Sequence, residues 1–144
     1  MTDGFRNILW RSDRKATIRD GLKLEFKEAF NPLFPVTWKL DNDPLLIGTV
    51  ELTEIQYIFT ADDLFYKVFL TGPSEGIKAM KFILTYKFGD YKNKQVVDDA
   101  TIFQWLDRGT EFTLWEYSTR FNMTIENVWP RSEAHHVNTN VLDF

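Results

Sequence analysis

The chain has no cysteine. Disulfides, thiolate nucleophiles and thiolate-bound zinc or iron–sulfur sites are therefore excluded, while the redox compartment stays open. Histidine is nearly as scarce: His135 and His136 are the whole supply, and they are adjacent. Neighbours in an extended chain point to opposite faces, and no cluster of further ligands accompanies them, so no metal is expected. No apolar run approaches the roughly 18 residues of a membrane helix, and the opening "MTDGFRNILW" lacks a basic-then-apolar leader. The expectation is a soluble cytoplasmic protein with no membrane partner; a periplasmic protein stripped of its leader would read the same.

Positive charge is also in short supply, with 17 Lys and Arg against 21 Asp and Glu and a net charge of −4. Non-specific nucleic-acid binding depends on clustered cations that release counterions from phosphates, so nucleic acid is not an expected partner. The one basic strip, "RSDRK" at 11–15 with Arg6 and Arg19 nearby, reads as solvated surface. Motifs that announce chemistry are missing too: there is no glycine-rich phosphate loop, G-x-S-x-G elbow or H-E-x-x-H pair. The acidic pairs at 41–44 ("DNDP"), 62–63 and 98–99 lack calcium-loop spacing and read as turns, with Asp41 and Asp43 at most a weak chelator. The sequon Asn122–Thr124 falls in an expected strand. No cofactor and no catalytic residue is expected, and the balance is against an enzyme.

What the chain does have is apolar and aromatic mass: 144 residues, 44% hydrophobic and 16% aromatic, 13 of them Phe. This suits one folded domain over 1–130 followed by a polar tail at 131–144. Alternation and turn residues predict a mainly antiparallel, twisted sheet, so the fold class is α+β. "FRNILW" reads as the start of a strand, and "SDRKATI" as a short N-terminal helix capped by Ser12. In 22–27, Leu22, Leu24 and Phe26 alternate like a strand, yet Leu22, Phe26 and Phe30 share helical spacing; the break at Asp20–Gly21 favours strand. "NPLFP" at 31–35 must be a connection. "VTWKL" and "LLIGTVEL" read as strands either side of "DNDP". "EIQYIF" and "LFYKVFL" form a hairpin pairing Phe59 with Leu64, Tyr57 with Tyr66 and Ile55 with Val68.

The principal helix is expected over about 74–88, with Ser74 as N-cap and Gly89 just past its end. Ile77, Met80, Ile83, Leu84 and Phe88 line one face, while Lys78, Lys81, Thr85 and Lys87 face away. "DYKNKQVVDD" reads as a polar connection. In "TIFQWLDRGTEFTLWEY" a loop over Asp107–Thr110 sets Trp105 against Phe112 and Phe103 against Leu114. "FNMTIENV" is the last strand.

The run of "GFRNILW" (4–10), "LLIG" (45–48), "IQYIF" (55–59), "YKFG" (86–89) and "QWLDRGTEFTL" (104–114) resembles a family of small uncharacterised bacterial α+β domains. Arg11 stands where that pattern carries glycine. The resemblance covers most of the chain through packing motifs, and it implies a fold and no particular activity.

One helix covers only part of one sheet face, which leaves Ile58, Phe65, Phe69 and Trp115 as candidates for an exposed interaction face. The competing expectation is that the sheet curls on itself, or that Val141, Leu142 and Phe144 cover the gap. The favoured function is a non-enzymatic binding or protein-interaction module that uses an uncovered sheet face or an edge strand to form a homodimer. The alternative is a small-molecule carrier or enzyme with a pocket between helix and sheet lined by Tyr57, Tyr66 and Trp105.

Overall fold

A computed structural model describes residues 4–19 and 22–128. The Asp20–Gly21 turn and the tail at 131–144, with His135, His136, Val141, Leu142 and Phe144, lie outside the described residues.

The chain opens with three small features. Gly4–Phe5 (β1) and Ile8–Leu9 (β2) form a tight antiparallel pair turning through Arg6 and Asn7, both at positive φ. The expected strand start is therefore a hairpin. The short N-terminal helix is a single 3₁₀ turn, Arg14–Ala16, and its cap is Asp13, whose carboxylate accepts from Lys15 N at 2.8 Å. Ser12 instead donates its hydroxyl to Leu9 O. Arg11 has a φ of 72°, a conformation that glycine reaches most easily. Ile18–Arg19 (β3) pairs with Leu22–Lys23 (β4). Phe26–Glu28 (β5) and Thr37–Leu40 (β6) follow, so the ambiguous 22–27 stretch is extended.

"LLIGTVEL" is not one strand. It folds back at Gly48–Thr49 into Leu46–Ile47 (β7) and Val50–Glu51 (β8). The long strands come next: Glu54–Phe59 (β9) and Phe65–Pro73 (β10). A 3₁₀ turn at Ser74–Gly76 leads into helix Ile77–Phe88 (α1). Ser74 sits in that turn and makes no capping bond; Gly76 holds the N-cap position of α1. At the other end Gly89 donates its N–H to Thr85 O at 2.9 Å, as its position predicts. Asn93–Val97 (β11), Ala100–Asp107 (β12), Thr110–Glu116 (β13) and Arg120–Asn127 (β14) complete the fold.

Eight strands form one antiparallel sheet in the order β11-β12-β13-β14-β10-β9-β6-β5, so the fold is α+β with a mainly antiparallel sheet. The β12–β13 register is the one that alternation predicts: Trp105 faces Phe112 and Phe103 faces Leu114, across a turn with positive φ at Arg108 and Gly109. The β9–β10 register differs. Phe59 faces Phe65, a bulge absorbs Tyr66, and Tyr57 and Ile55 then face Val68 and Leu70. An extra residue on one strand reverses the facing of what lies beyond it, which is why Phe65 joins the same side as Val68 and Leu70.

That side is the core. Phe103, Trp105, Phe112, Leu114, Phe121, Met123 and Ile125 meet Met80 and Leu84 of α1. Over the other half of the sheet, where the helix does not reach, Ile8, Trp10, Val50 and Leu52 from the small hairpins join the same core. Trp10 packs against Phe65 with ring centroids 4.8 Å apart. Most of the described aromatic side chains are thus structural, with Phe30, Phe82, Tyr86 and Tyr91 the exposed ones among the described residues. Among the described residues no helix is long and apolar enough to cross a membrane.

Candidate functional site

The four residues expected on an open interaction face do not form one. Phe65 is fully buried between Trp10, Tyr57 and Phe59, a displacement caused by the bulge at Tyr66. Ile58 does lie on the far face, but only 1% of its surface is exposed. Phe69 is half-buried beneath Phe34, centroid to centroid 6.4 Å. Trp115 is half-buried between Ile102 and Asn122 of the neighbouring strands. The "NPLFP" connection explains much of this cover: Asn31 donates to Gln56 Oε1 at 2.7 Å, Gln56 donates to Phe30 O, and the Lys67 ammonium sits 4.2 Å over the Phe34 ring. The far face is also polar inside. Lys67 pairs with Glu126 at 3.2 Å, both largely buried, and Thr113 and Thr124 are buried beside them.

The three residues expected to line a pocket have other duties. The Tyr57 hydroxyl donates to Asp43 Oδ2 at 2.7 Å, and the Trp105 indole N–H donates to Gly89 O at 3.0 Å, which ties the end of α1 to β12. Tyr66 is the half-buried residue of the bulge. Asp43 also accepts from Arg6, and Asp41 pairs with Lys27, so these aspartates are spent on ion pairs.

A cleft does open between helix and sheet, built by different residues. Its volume is about 440 Å³. Met80, Ile83, Leu84 and Phe88 of α1 form one wall, Phe112, Met123 and Ile125 of β13 and β14 the floor, and Phe5 and Ile47 of the small hairpins the opposite side. Gly4, Arg6 and Lys87 complete the lining, and among the described residues no carboxylate joins it. The Arg6 guanidinium is held by Asp43 Oδ1 at 3.0 Å and by the carbonyls of Pro44 and Leu46. Lys87, expected to point away from the sheet, stands at the mouth of this cleft. Lys81, expected to do the same, lies 4.5 Å over the Phe103 ring and pairs with Glu116.

The surface feature that alternation did not reveal is β11. Its residues read as a polar connection, yet they form the outer strand of the eight-stranded sheet, and all five are exposed. Its order of charge is directional: Lys92 and Lys94 precede Val96 and Val97, and Asp98 and Asp99 follow. The available signal was "VVDDAT", two β-branched residues before an acidic turn with Asp98 at positive φ.

Comparison finds no matching family model, curated protein or solved structure. What the surface can do is decided by its own geometry and charge.

The displaced pKa values lie away from both features. Arg14 forks onto Asp63 through Nε at 3.0 Å and a terminal nitrogen at 2.9 Å, and its guanidinium stacks 3.9 Å over Trp38. The hydrogen bond from Arg14 holds the Asp63 carboxyl below its ordinary value, and the same bond raises Arg14. This clasp joins the N-terminal segment to the β9–β10 loop and serves the fold. Among the described residues no group of three or more His, Asp or Glu is arranged to hold a metal.

Proposed function

We propose that the protein is an interaction module whose working surface is the β11 edge and whose partner is a second copy of the same chain. The observation that carries this reading is the order of charge along an open edge. Two antiparallel strands related by a two-fold axis perpendicular to the sheet keep their faces, so residues of equal parity meet. With the axis at Val96, each Lys94 faces Asp98 of the second copy and the two Val96 side chains meet. With the axis at Gln95, Lys92 faces Asp98 instead. Asp98 lies in the turn just past β11 rather than in the strand. Either register therefore brings unlike charges near each other at the strand ends, where an exposed ion pair contributes about 0.2–1 kcal/mol.

Lysines on an edge strand usually repel strand addition. Here the aspartates four to seven residues on convert that repulsion into a preference for one orientation and one partner. Val96, with 71% of its surface exposed, is the apolar contact such pairing would cover.

Size-exclusion chromatography with light scattering tests the reading. The expected mass is twice the 17.0 kDa of the chain. Val96→Lys, which sets two cations face to face in either register, should return it to one chain, as should Lys94→Glu in the Val96-centred register, where it sets two acids face to face. Neither should alter the circular dichroism. A wild-type protein that stays at one chain mass throughout a concentration series removes the proposal, as does a dimer that both variants leave intact.

A further inference from the structure

The cleft beneath α1 is lined by α1, β13, β14 and the small hairpins and not by β11, and it asks for a different kind of partner. Its volume of about 440 Å³ falls within the span of about 300–1,000 Å³ usual for small-molecule sites. Three features of its lining narrow the chemistry. The first is the kind of apolar wall. Ile47 and Ile83 present partly exposed aliphatic surface, with Met80, Leu84, Met123 and Ile125 buried behind them as an apolar backing. The aromatic pair Phe88 and Phe112 is already stacked on itself, centroids 4.6 Å apart, and so offers little free ring face to a planar ligand.

The second feature is that, among the described residues lining the cleft, only Arg6 and Lys87 carry polar side chains. Tyr57 and Trp105 direct their polar atoms elsewhere. A ligand with polar groups along its length would leave them unpaired in this cleft. The third feature is charge. Arg6 is offset by Asp43, whose side chain is 4% exposed. Lys87 has no carboxylate partner among the described residues, so the mouth carries one uncompensated positive charge.

We propose that this cleft binds an unbranched aliphatic carboxylate, its alkyl chain against the partly exposed Phe5, Ile47, Ile83 and the edge of Phe88 and its head group at Lys87. The chain displaces water from apolar walls, which supplies affinity, and the ammonium selects the sign of the head group. Arg6 acts as a fixed wall that keeps β1–β2 and the 43–46 loop in place around the ligand.

Decanoate, decanol and decyltrimethylammonium share a chain and differ in head-group charge, which makes them the probes. Calorimetric titration into the full-length protein, below the micellar range of each probe, should show decanoate binding tightest and decyltrimethylammonium weakest. Lys87→Glu should weaken decanoate roughly tenfold and narrow or reverse the order, since it replaces an attraction by a repulsion. Ile47→Trp, in the exposed β7–β8 hairpin, should block all three by filling the cleft. Amide shifts on adding decanoate provide a measurement independent of either variant, and they should map to α1, Phe5 and Ile47. No heat and no shifts with decanoate overturn the proposal. So do equal affinities for the three head groups, affinities untouched by Lys87→Glu, or shifts confined to other surfaces.

Discussion

At the scale of single residues, the most informative side chains are polar ones placed where rings dominate. Asp43 holds Arg6 and Tyr57 together, so one carboxylate from a turn joins the β1–β2 hairpin to the middle of the sheet. Asp63 does similar work for Arg14, and there the consequence can be measured. Its folded-state pKa lies below the ordinary 3.8 because the Arg14 hydrogen bond favours the charged form. The unfolded chain therefore takes up a proton at higher pH than the folded one. The stabilisation is fully present above the unfolded value and fades as pH falls through the folded value. Asp63→Asn keeps the positive φ of 68°, which asparagine tolerates, and removes the charge. At pH 7 the variant should lose about 1 kcal/mol in urea unfolding, the size of a forked, partly exposed ion pair. The gap from wild type should close as pH drops below 3.8. A gap that stays constant down to pH 2 would show that the clasp acts through shape alone.

Elements were legible in the sequence where local chemistry and burial agree. The helix announces itself by its apolar stripe and Gly89, and the β12–β13 register by strict alternation around Arg108–Gly109, a turn whose two positive φ angles suit a two-residue hairpin. Legibility failed where a single residue changes the period. The bulge at Tyr66 moves Phe65 into the core, and the fold at Gly48 splits one apparent strand into β7 and β8. It failed again where exposure removes the pattern, because an edge strand with no buried face has no apolar alternation to read, as in β11. The cleft was legible only as a place between helix and sheet. Its lining comes from residues 4–6, 47, 80–88, 112 and 123–125, which nothing in their spacing connects. Close contact between elements escapes the sequence in the same way. Gly72 lies opposite Phe121, and a Cβ there would stand 2.5 Å from the ring and 3.1 Å from Glu51 O. Gly72→Ala should therefore cost about 1–3 kcal/mol by overpacking. Adding Phe121→Leu should recover part of that loss relative to the sum of the two single changes, read by a double-mutant cycle. Strict additivity would mean that the ring yields freely and the contact is unimportant.

On the scale of the whole molecule, the described sheet is covered on its core face, partly covered on the far face and open at its β11 end. The core face is covered by α1 and the small hairpins, and the far face in part by the 29–36 connection. At the opposite end β5 is only three residues long, too short to template a long pairing. Unpaired backbone at β11 is thus the natural place for the sheet to continue, and self-pairing there would join two eight-stranded sheets under one two-fold axis. Association that involves only folded chains stabilises them by mass action, so the melting temperature should rise with protein concentration. For a chain of this size each kcal/mol raises it by on the order of 3 °C. The Lys–Asp pairs add a second signature, because the screening length falls from about 10 Å at 0.1 M salt to about 3 Å at 1 M. High salt should therefore flatten the concentration dependence, and Val96→Lys should remove it at low salt. Differential scanning fluorimetry over a hundredfold range of protein concentration, at both salt levels, reads all of this. A melting temperature independent of concentration at low salt would leave β11 as a solvated edge. A dependence that persists unchanged in 1 M salt would move the contact to an apolar surface such as the exposed, stacked Phe82 and Tyr86 on α1.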